Sequence, residues 1–278
     1  MTIDLHIHSD CSDGIFSTEE IFKKADELGI ELLSITDHDS IACQKNAELL
    51  ARKYGISYIY GIELSVSFTH PLHDAPSPVS LDFLGYNYDP EDENLLKRLE
   101  ELRIYRRKRA EGIIEKINLE LSKEGKALLT CKDLEKIERS VNGVFGRPHI
   151  ADYLVKKGMV KNRDEAFGRY LTKCNVKKMP LSLEEVSSLI KQAGGKLFLA
   201  HPNHPRGTSL RKLTKDIQGQ LRLITEFILP FIDGIECWHS AHDNKSIEQY
   251  LEYAKKMKLL VSGGSDCHQN PLLMGSVE

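Results

Sequence analysis

Six cysteines, at positions 11, 43, 131, 174, 237 and 267, form no Cys-x-x-Cys pair, which argues against a zinc ribbon and a disulfide framework. No apolar run approaches the roughly 18 residues of a membrane span. The N-terminus lacks a basic stretch followed by an apolar one, so no secretory leader is expected. These absences predict reduced thiols and a cytoplasmic protein with no membrane partner. Surplus positive charge is missing too: 38 Lys and Arg face 41 Asp and Glu, a net charge of −3. Nothing global therefore attracts nucleic acid, and an anionic substrate has to be drawn locally. There is one tryptophan, and no internal repeat or low-complexity tract.

What is present is an ordinary globular composition, 41% hydrophobic and 28% charged over 278 residues. That length exceeds a usual single core, so a main domain with an insertion, or an α/β barrel, is the natural expectation. Seven strand-like runs, at 2–7, 31–36, 57–63, 80–86, 196–200, 233–237 and 258–263, alternate with helical patterns, the signature of a parallel α/β fold. Helices are expected from Thr18 to Leu28, capped by Ser17 or Thr18, and from Ser40 to Tyr54, ending at Gly55. Residues 91–192 interrupt the pattern without a convincing strand. Leu95, Leu99, Leu102, Ala110, Ile113, Ile114, Ile117 and Leu121 fall at helical spacing there and predict a long amphipathic helix opening a helical insertion. It carries Lys97, Arg98, Arg103, Arg106, Arg107, Lys108 and Arg109, readable as a solvated face or as a patch that steers a phosphorylated or nucleic-acid substrate. Tyr105 is its only aromatic residue, too little for a nucleic-acid platform.

The strand ends carry the chemistry. In run one, Ile3, Leu5 and Ile7 alternate with Asp4, His6 and His8, so the two imidazoles share a face. Run two ends in Asp37 and His38, run three in Glu63, run five in His201, run six in Glu236, and run seven leads to Asp266 and His268. Groups of this kind at the C-terminal ends of parallel strands are how barrel enzymes build their sites, and the mixture of imidazole and carboxylate suits metal ions.

These residues resemble the PHP family, named for polymerase and histidinol phosphatase domains. The resemblance rests on His6-x-His8, Ser12-Asp13-Gly14, Thr36-Asp37-His38-Asp39, Gly61-Ile62-Glu63-Leu64-Ser65, Leu84-Gly85-Tyr86, Arg147-Pro148-His149, Gly194-Gly195 with Ala200-His201-Pro202, Gly234-Ile235-Glu236, and Gly264-Ser265-Asp266-Cys267-His268. It implies a distorted seven-stranded TIM-like βα barrel at 1–90 and 193–278, with a helical insertion at 91–192. It also implies two or three divalent ions, Mn²⁺ first, with Fe, Zn or Mg as alternatives. By resemblance, His6, His8, Glu63 and Asp266 hold one ion and Asp13, His38 and His268 another, while Glu63 bridges to a further ion with His201 and a strand-four residue. The family usually has histidine two residues before Leu-Gly-Tyr. Here Asp82 stands in that place, a carboxylate suited to harder ions, with His70 and His73 upstream as loop substitutes.

The implied activity is metal-dependent hydrolysis of a phosphate ester by metal-bound hydroxide. The standalone branch with a helical insertion acts on nucleoside 3′,5′-bisphosphates or trims short RNA from its 5′ end. The substrates to weigh are thus a phosphorylated small molecule, a nucleotide, or short RNA or DNA, with no protein partner. Histidinol phosphate hydrolysis and a catalytically weak nucleotide-binding module are the alternatives. Arg147 is the candidate phosphate fork and His149 the candidate for substrate contact or proton transfer, against the plain reading that Arg147-Pro148-His149 begins a helix. Asp37 and Asp39 read either as acceptors orienting His38 or as loop caps, and His204 as a solvated loop residue.

Overall fold

The computed structural model describes residues 2–69, 78–141, 143–205, 208–269 and 274–275. The first half begins with β1 (Ile3–Ile7), α1 (Thr18–Glu27), β2 (Leu32–Ile35), α2 (Gln44–Tyr54) and β3 (Ser57–Tyr58), followed by β4 (Gly61–Phe68) and β5 (Val79–Tyr86). A helical stretch follows: α3 (Glu93–Lys123), α4 (Cys131–Glu138), α5 (Arg147–Lys156), α6 (Arg163–Ala166) and α7 (Leu183–Gln192). The chain then returns through β6 (Lys196–Leu199), α8 (Ile217–Leu223), β7 (Gly234–His239), α9 (Asn244–Met257) and β8 (Leu260–Gly264).

Local chemistry explains several boundaries. Ser17 caps α1 and Glu20 reaches back to the Ser17 N–H, a reciprocal capping box. Gly55 ends α2 in the left-handed conformation that glycine adopts without cost. That helix begins at Gln44 rather than Ser40, because the Ser40 hydroxyl accepts the Ala42 N–H and holds residues 40–43 out of the helix.

The strands differ from a purely parallel barrel. They form two sheets, β1-β2-β3 and β4-β5-β6-β7-β8. The run at 57–63 is two strands: β3 pairs with β2, and the chain then leaves that sheet to pair β4 with β5. The crossing depends on Gly61, where a Cβ would lie 2.1 Å from Ser34 Oγ. β5 is antiparallel to both β4 and β6. Only ten residues separate β4 from β5, fewer than the dozen or more that a parallel crossover needs, so the two strands pair antiparallel.

The sheets meet at isolated parallel bridges, Ile7 with Cys267 and His38 with Glu63. His8 N–H donates to Cys267 O at 3.0 Å, Asp266 N–H to His6 O at 2.8 Å, and Asp39 N–H to Glu63 O at 2.9 Å. The seams between the sheets therefore run through the histidine- and carboxylate-bearing segments themselves.

One apolar core fills the five-stranded sheet and includes Leu95, Leu99 and Leu102 of α3 together with Leu183, Val186 and Ile190 of α7. A separate core joins Ile113, Ile117 and Leu121 of α3 to Leu134, Ile150, Leu154 and Tyr170. Val144 N–H donates to Cys11 O, which ties the helical segment to the loop after β1 and sets α5 above that end of the sheets. No helix among the described residues is long and apolar enough to cross a membrane.

Candidate metal centre

Glu63, at the start of β4 and 1% exposed, is the hub. Its Oε2 lies 2.9 Å from His38 Nδ1, 3.2 Å from His8 Nε2 and 3.6 Å from His6 Nε2, and its Oε1 lies 3.2 Å from His201 Nε2. Asp266 Oδ1 is 3.2 Å from His8 Nε2 and 3.4 Å from both His6 Nε2 and His268 Nδ1. Asp13 Oδ1 is 3.3 Å from His268 Nε2 and 3.8 Å from His8 Nδ1.

Four groups converge with ligand atoms within 4.8 Å of one another: His8, Asp13, His38 and His268; His6, His8 and Asp266; His6, Glu63 and His201; and His6, Glu236 and His239. Many of these atoms are buried without a hydrogen-bond partner in the structure, among them His6 Nε2, both ring nitrogens of His8, Asp13 Oδ1, His38 Nδ1 and Glu63 Oε2. Buried polar atoms are ordinarily paired. This many orphans, all nitrogen or carboxylate oxygen aimed at common points, fit divalent cations.

The electrostatics agree with that fit. Burial works against a proton on His6, yet Glu236, Asp266 and Glu63 hold its pKa well above the ordinary value. His8, also opposed by burial, is pushed up to about 10 by the Asp266 and Glu63 carboxylates that face it, and His201 to about 9 by Glu63. Against their own burial, Glu63 is held well below the usual carboxylate range by His38 and His6, and Asp13 by His38 and His268. The carboxylates demand positive charge, and protons supply it where a metal ion would.

The backbone is shaped to present these groups. His201 and Asp266 have φ of 25° and 53°, the left-handed region that side chains rarely enter and that clusters at functional sites. At Gly264 a Cβ would lie 2.2 Å from the His6 Cβ, so only glycine lets β8 approach β1 this closely. Glu236 fixes two candidate ligands at once: its Oε1 is 3.0 Å from His6 Nδ1, leaving Nε2 to face the centre, and its Oε2 accepts the His201 N–H at 2.7 Å. Asp4, fully buried, accepts the N–H groups of Ser265 and Gly275 at 2.9 and 3.0 Å and so steadies the loop bearing Asp266.

Other candidates stand elsewhere. Asp82 is in none of the four groups and accepts the Ser65 hydroxyl at 2.5 Å. His70 and His73 lie outside the described residues. Arg147 opens α5 and stacks on the Phe167 ring at 5.5 Å, with no carboxylate in ion-pair reach among the described residues. His149 Nδ1 accepts the Gly146 N–H at 3.0 Å, so its proton sits on Nε2, and burial lowers its pKa.

Asp37 does not orient His38: it accepts from the Ser9 N–H and the Ser9 and Ser12 hydroxyls, and so braces the Ser12-Asp13-Gly14 loop. Asp39 pairs with Arg106. His204 is not a solvated ring, since it packs 5.7 Å from His201 and 5.4 Å from His239. Asp4 and His239 were missed as site residues. Asp4 was signalled by its two-residue spacing from His6; for His239 the sequence holds only its position at the end of a strand.

The α3 basic run divides. Arg98, Arg103 and Arg107 pair with glutamates, whereas Arg106 and Arg109 turn inward. With Arg147, Lys178 and Lys212 they line a cleft of about 320 Å³ that reaches Asp13, His38 and Asp82.

Comparison with known proteins follows the same lines. The PHP domain model matches residues 4–173. The 5′-3′ exoribonuclease of Haemophilus influenzae is 29% identical, over 95% of this chain and 89% of its own length. The 3′,5′-nucleoside bisphosphate phosphatase of Chromobacterium violaceum is 30% identical, over 96% and 87%. A crystal structure from Bifidobacterium adolescentis, assigned as a metal-dependent phosphoesterase, superposes with a TM-score of 0.77 at 28% identity, covering 95% of this chain and 87% of that one. An amidohydrolase of Chromobacterium violaceum with bound sulfate superposes at 0.79 and 29% identity, covering 100% and 91%. With the domain model spanning more than half the residues and a relative at 30% identity along nearly the whole length, the chain belongs to the PHP domain family and is one of its phosphoesterases.

Proposed function

We propose that this phosphoesterase removes the 3′-phosphate of nucleoside 3′,5′-bisphosphates and of short oligonucleotides. The carrying observation is the cleft itself, with Asp13 and His38 of the metal centre at one end and Arg106, Arg109, Arg147, Lys178 and Lys212 along it. Its about 320 Å³ suits a nucleotide-sized ligand, and cations beside the ligand cluster suit a substrate with two phosphates. The relatives named for nucleoside bisphosphates and for RNA support the same substrate class.

His6, His8, Glu63 and Asp266 are the ligands we assign to one ion, and Asp13, His38 and His268 to another. Bound there, divalent ions supply Lewis-acid charge neutralisation and water activation. The protein's own groups do the rest. Arg147, with no carboxylate competing for it among the described residues, is free to fork onto a phosphate. Neutral His149, with its proton on Nε2, is equipped to donate to a phosphate or leaving-group oxygen. Glu236 and Asp4 keep His6 and the Asp266 loop in register. The same reading takes the two sheets as halves of a distorted barrel, 1–90 and 193–278, with 91–192 as the insertion that brings Arg147 and His149 over it.

Phosphate release from adenosine 3′,5′-bisphosphate by Mn²⁺-loaded protein tests this. AMP and phosphate are expected, with turnover abolished in Asp266→Asn or His8→Ala while circular dichroism stays that of the wild type. Turnover of histidinol phosphate in preference to the bisphosphate would overturn the substrate assignment.

A further inference from the structure

Asp82 belongs to the same face of the sheet as Glu63. It pairs in register with Ser65, and Ser65 is two residues from Glu63 along β4. Yet it joins none of the converging ligand groups. Its Oδ1 accepts the Ser65 hydroxyl at 2.5 Å, and Ser65 Oγ in turn accepts from Lys178 Nζ at 2.7 Å. Lys178 precedes α7; the residue is exposed overall, but its ammonium reaches down to buried Ser65 and lines the cleft with Asp13, His38 and Asp82.

Lone pairs limit how many ions the neighbouring groups can hold. His6 belongs to three of the four groups, but Nδ1 is engaged by Glu236 and Nε2 has one lone pair. Spent on the group with His8 and Asp266, it leaves Glu63 and His201 as a pair without a third ligand. On the same sheet face as Glu63 stands Asp82, outside the converging groups and already committed to Ser65 in a chain that ends in the Lys178 ammonium. A divalent ion there would meet that charge at close quarters. The ammonium already provides positive charge beside Asp82, through Ser65, and donors facing the phosphate cleft.

We infer that the Lys178 ammonium, acting through Ser65 on Asp82, takes the place of a third divalent ion, so that the centre holds two ions and one built-in cation. This rests on the metal-centre assignment above, and the test separates the two. Wild-type protein and Lys178→Met are dialysed to equilibrium against rising Mn²⁺, and bound manganese per chain is counted by mass spectrometry. The wild type is expected to saturate at two ions. Lys178→Met, which keeps the length of the stem but removes the charge, is expected to accept a third ion on Asp82, Glu63 and His201.

Three ions on the wild type overturn the inference and leave the metal centre standing. Fewer than two overturn both. Two on the wild type and two on Lys178→Met, with the variant melting as the wild type does, overturn the role of Lys178. The wild-type count stands by itself if the variant does not fold.

Discussion

At the scale of single residues, the competition at Glu63 is between protons and metal. His8 and His201 carry pKa values near 10 and 9 because carboxylates face them in a buried space. Without metal both rings are therefore protonated at neutral pH, and each must lose its proton before it can ligate. The sign follows: metal affinity rises with pH through the range below about 9, and binding releases protons. Titration calorimetry of Mn²⁺ into metal-free protein between pH 6 and 8 should give a Kd that falls with pH, and an apparent enthalpy that depends on the buffer's ionisation heat. A Kd independent of pH would show that the rings are neutral without metal. The residue types of this centre were legible early, because two-residue spacing in β1 puts Asp4, His6 and His8 on one face. Asp37 was not: nothing local distinguishes a carboxylate that orients a neighbour from one that accepts three hydrogen bonds from a loop 25 to 28 residues upstream.

At the scale of elements, the strands position the site because their ends carry it, and the helices hold the strands. α7 lies against β4 and β6 through Val186 and Ile190, both fully buried. Ile190 sits where Gly85 of β5 and Gly195, just before β6, leave no room for a side chain: a Cβ at either position would lie 2.6 to 3.0 Å from it. Truncation there leaves a cavity that the close-packed sheet cannot collapse to fill. Ile190→Ala is expected to lower unfolding free energy by about 2–5 kcal/mol, read as a lower urea midpoint at unchanged slope. A loss below about 0.5 kcal/mol, the range of a surface substitution, would show that α7 is dispensable for the sheet. Element type was readable from period and caps. The division of 57–63 into two strands was not, since it depends on Gly61 passing Ser34, a contact between segments 27 residues apart.

At the scale of the whole molecule, two sheets are joined by single bridges at Ile7 with Cys267 and His38 with Glu63, the places where the candidate ligand residues gather. Ions bound there would clamp the two sheets together, so metal binding is coupled to global stability. Mn²⁺ at a hundredfold excess over its Kd should add about 2.7 kcal/mol, seen as a higher Tm that chelator reverses. The gain should be smaller in Asp266→Asn. An unchanged Tm in the wild type would mean that the centre does not bind the metal in the folded state.

The sequence by itself determined the α/β class, the helical stretch between β5 and β6, and the histidines and carboxylates available at the strand ends. These are matters of short-range period and residue chemistry, which a chain displays without folding. Tertiary structure alone decided that β5 runs antiparallel between β4 and β6, that Arg106 and Arg109 of α3 turn inward to line the cleft, and that Lys178 reaches Ser65 from 113 residues away. Each depends on which distant segments pack together, and that is set by the burial of whole faces rather than by any local pattern.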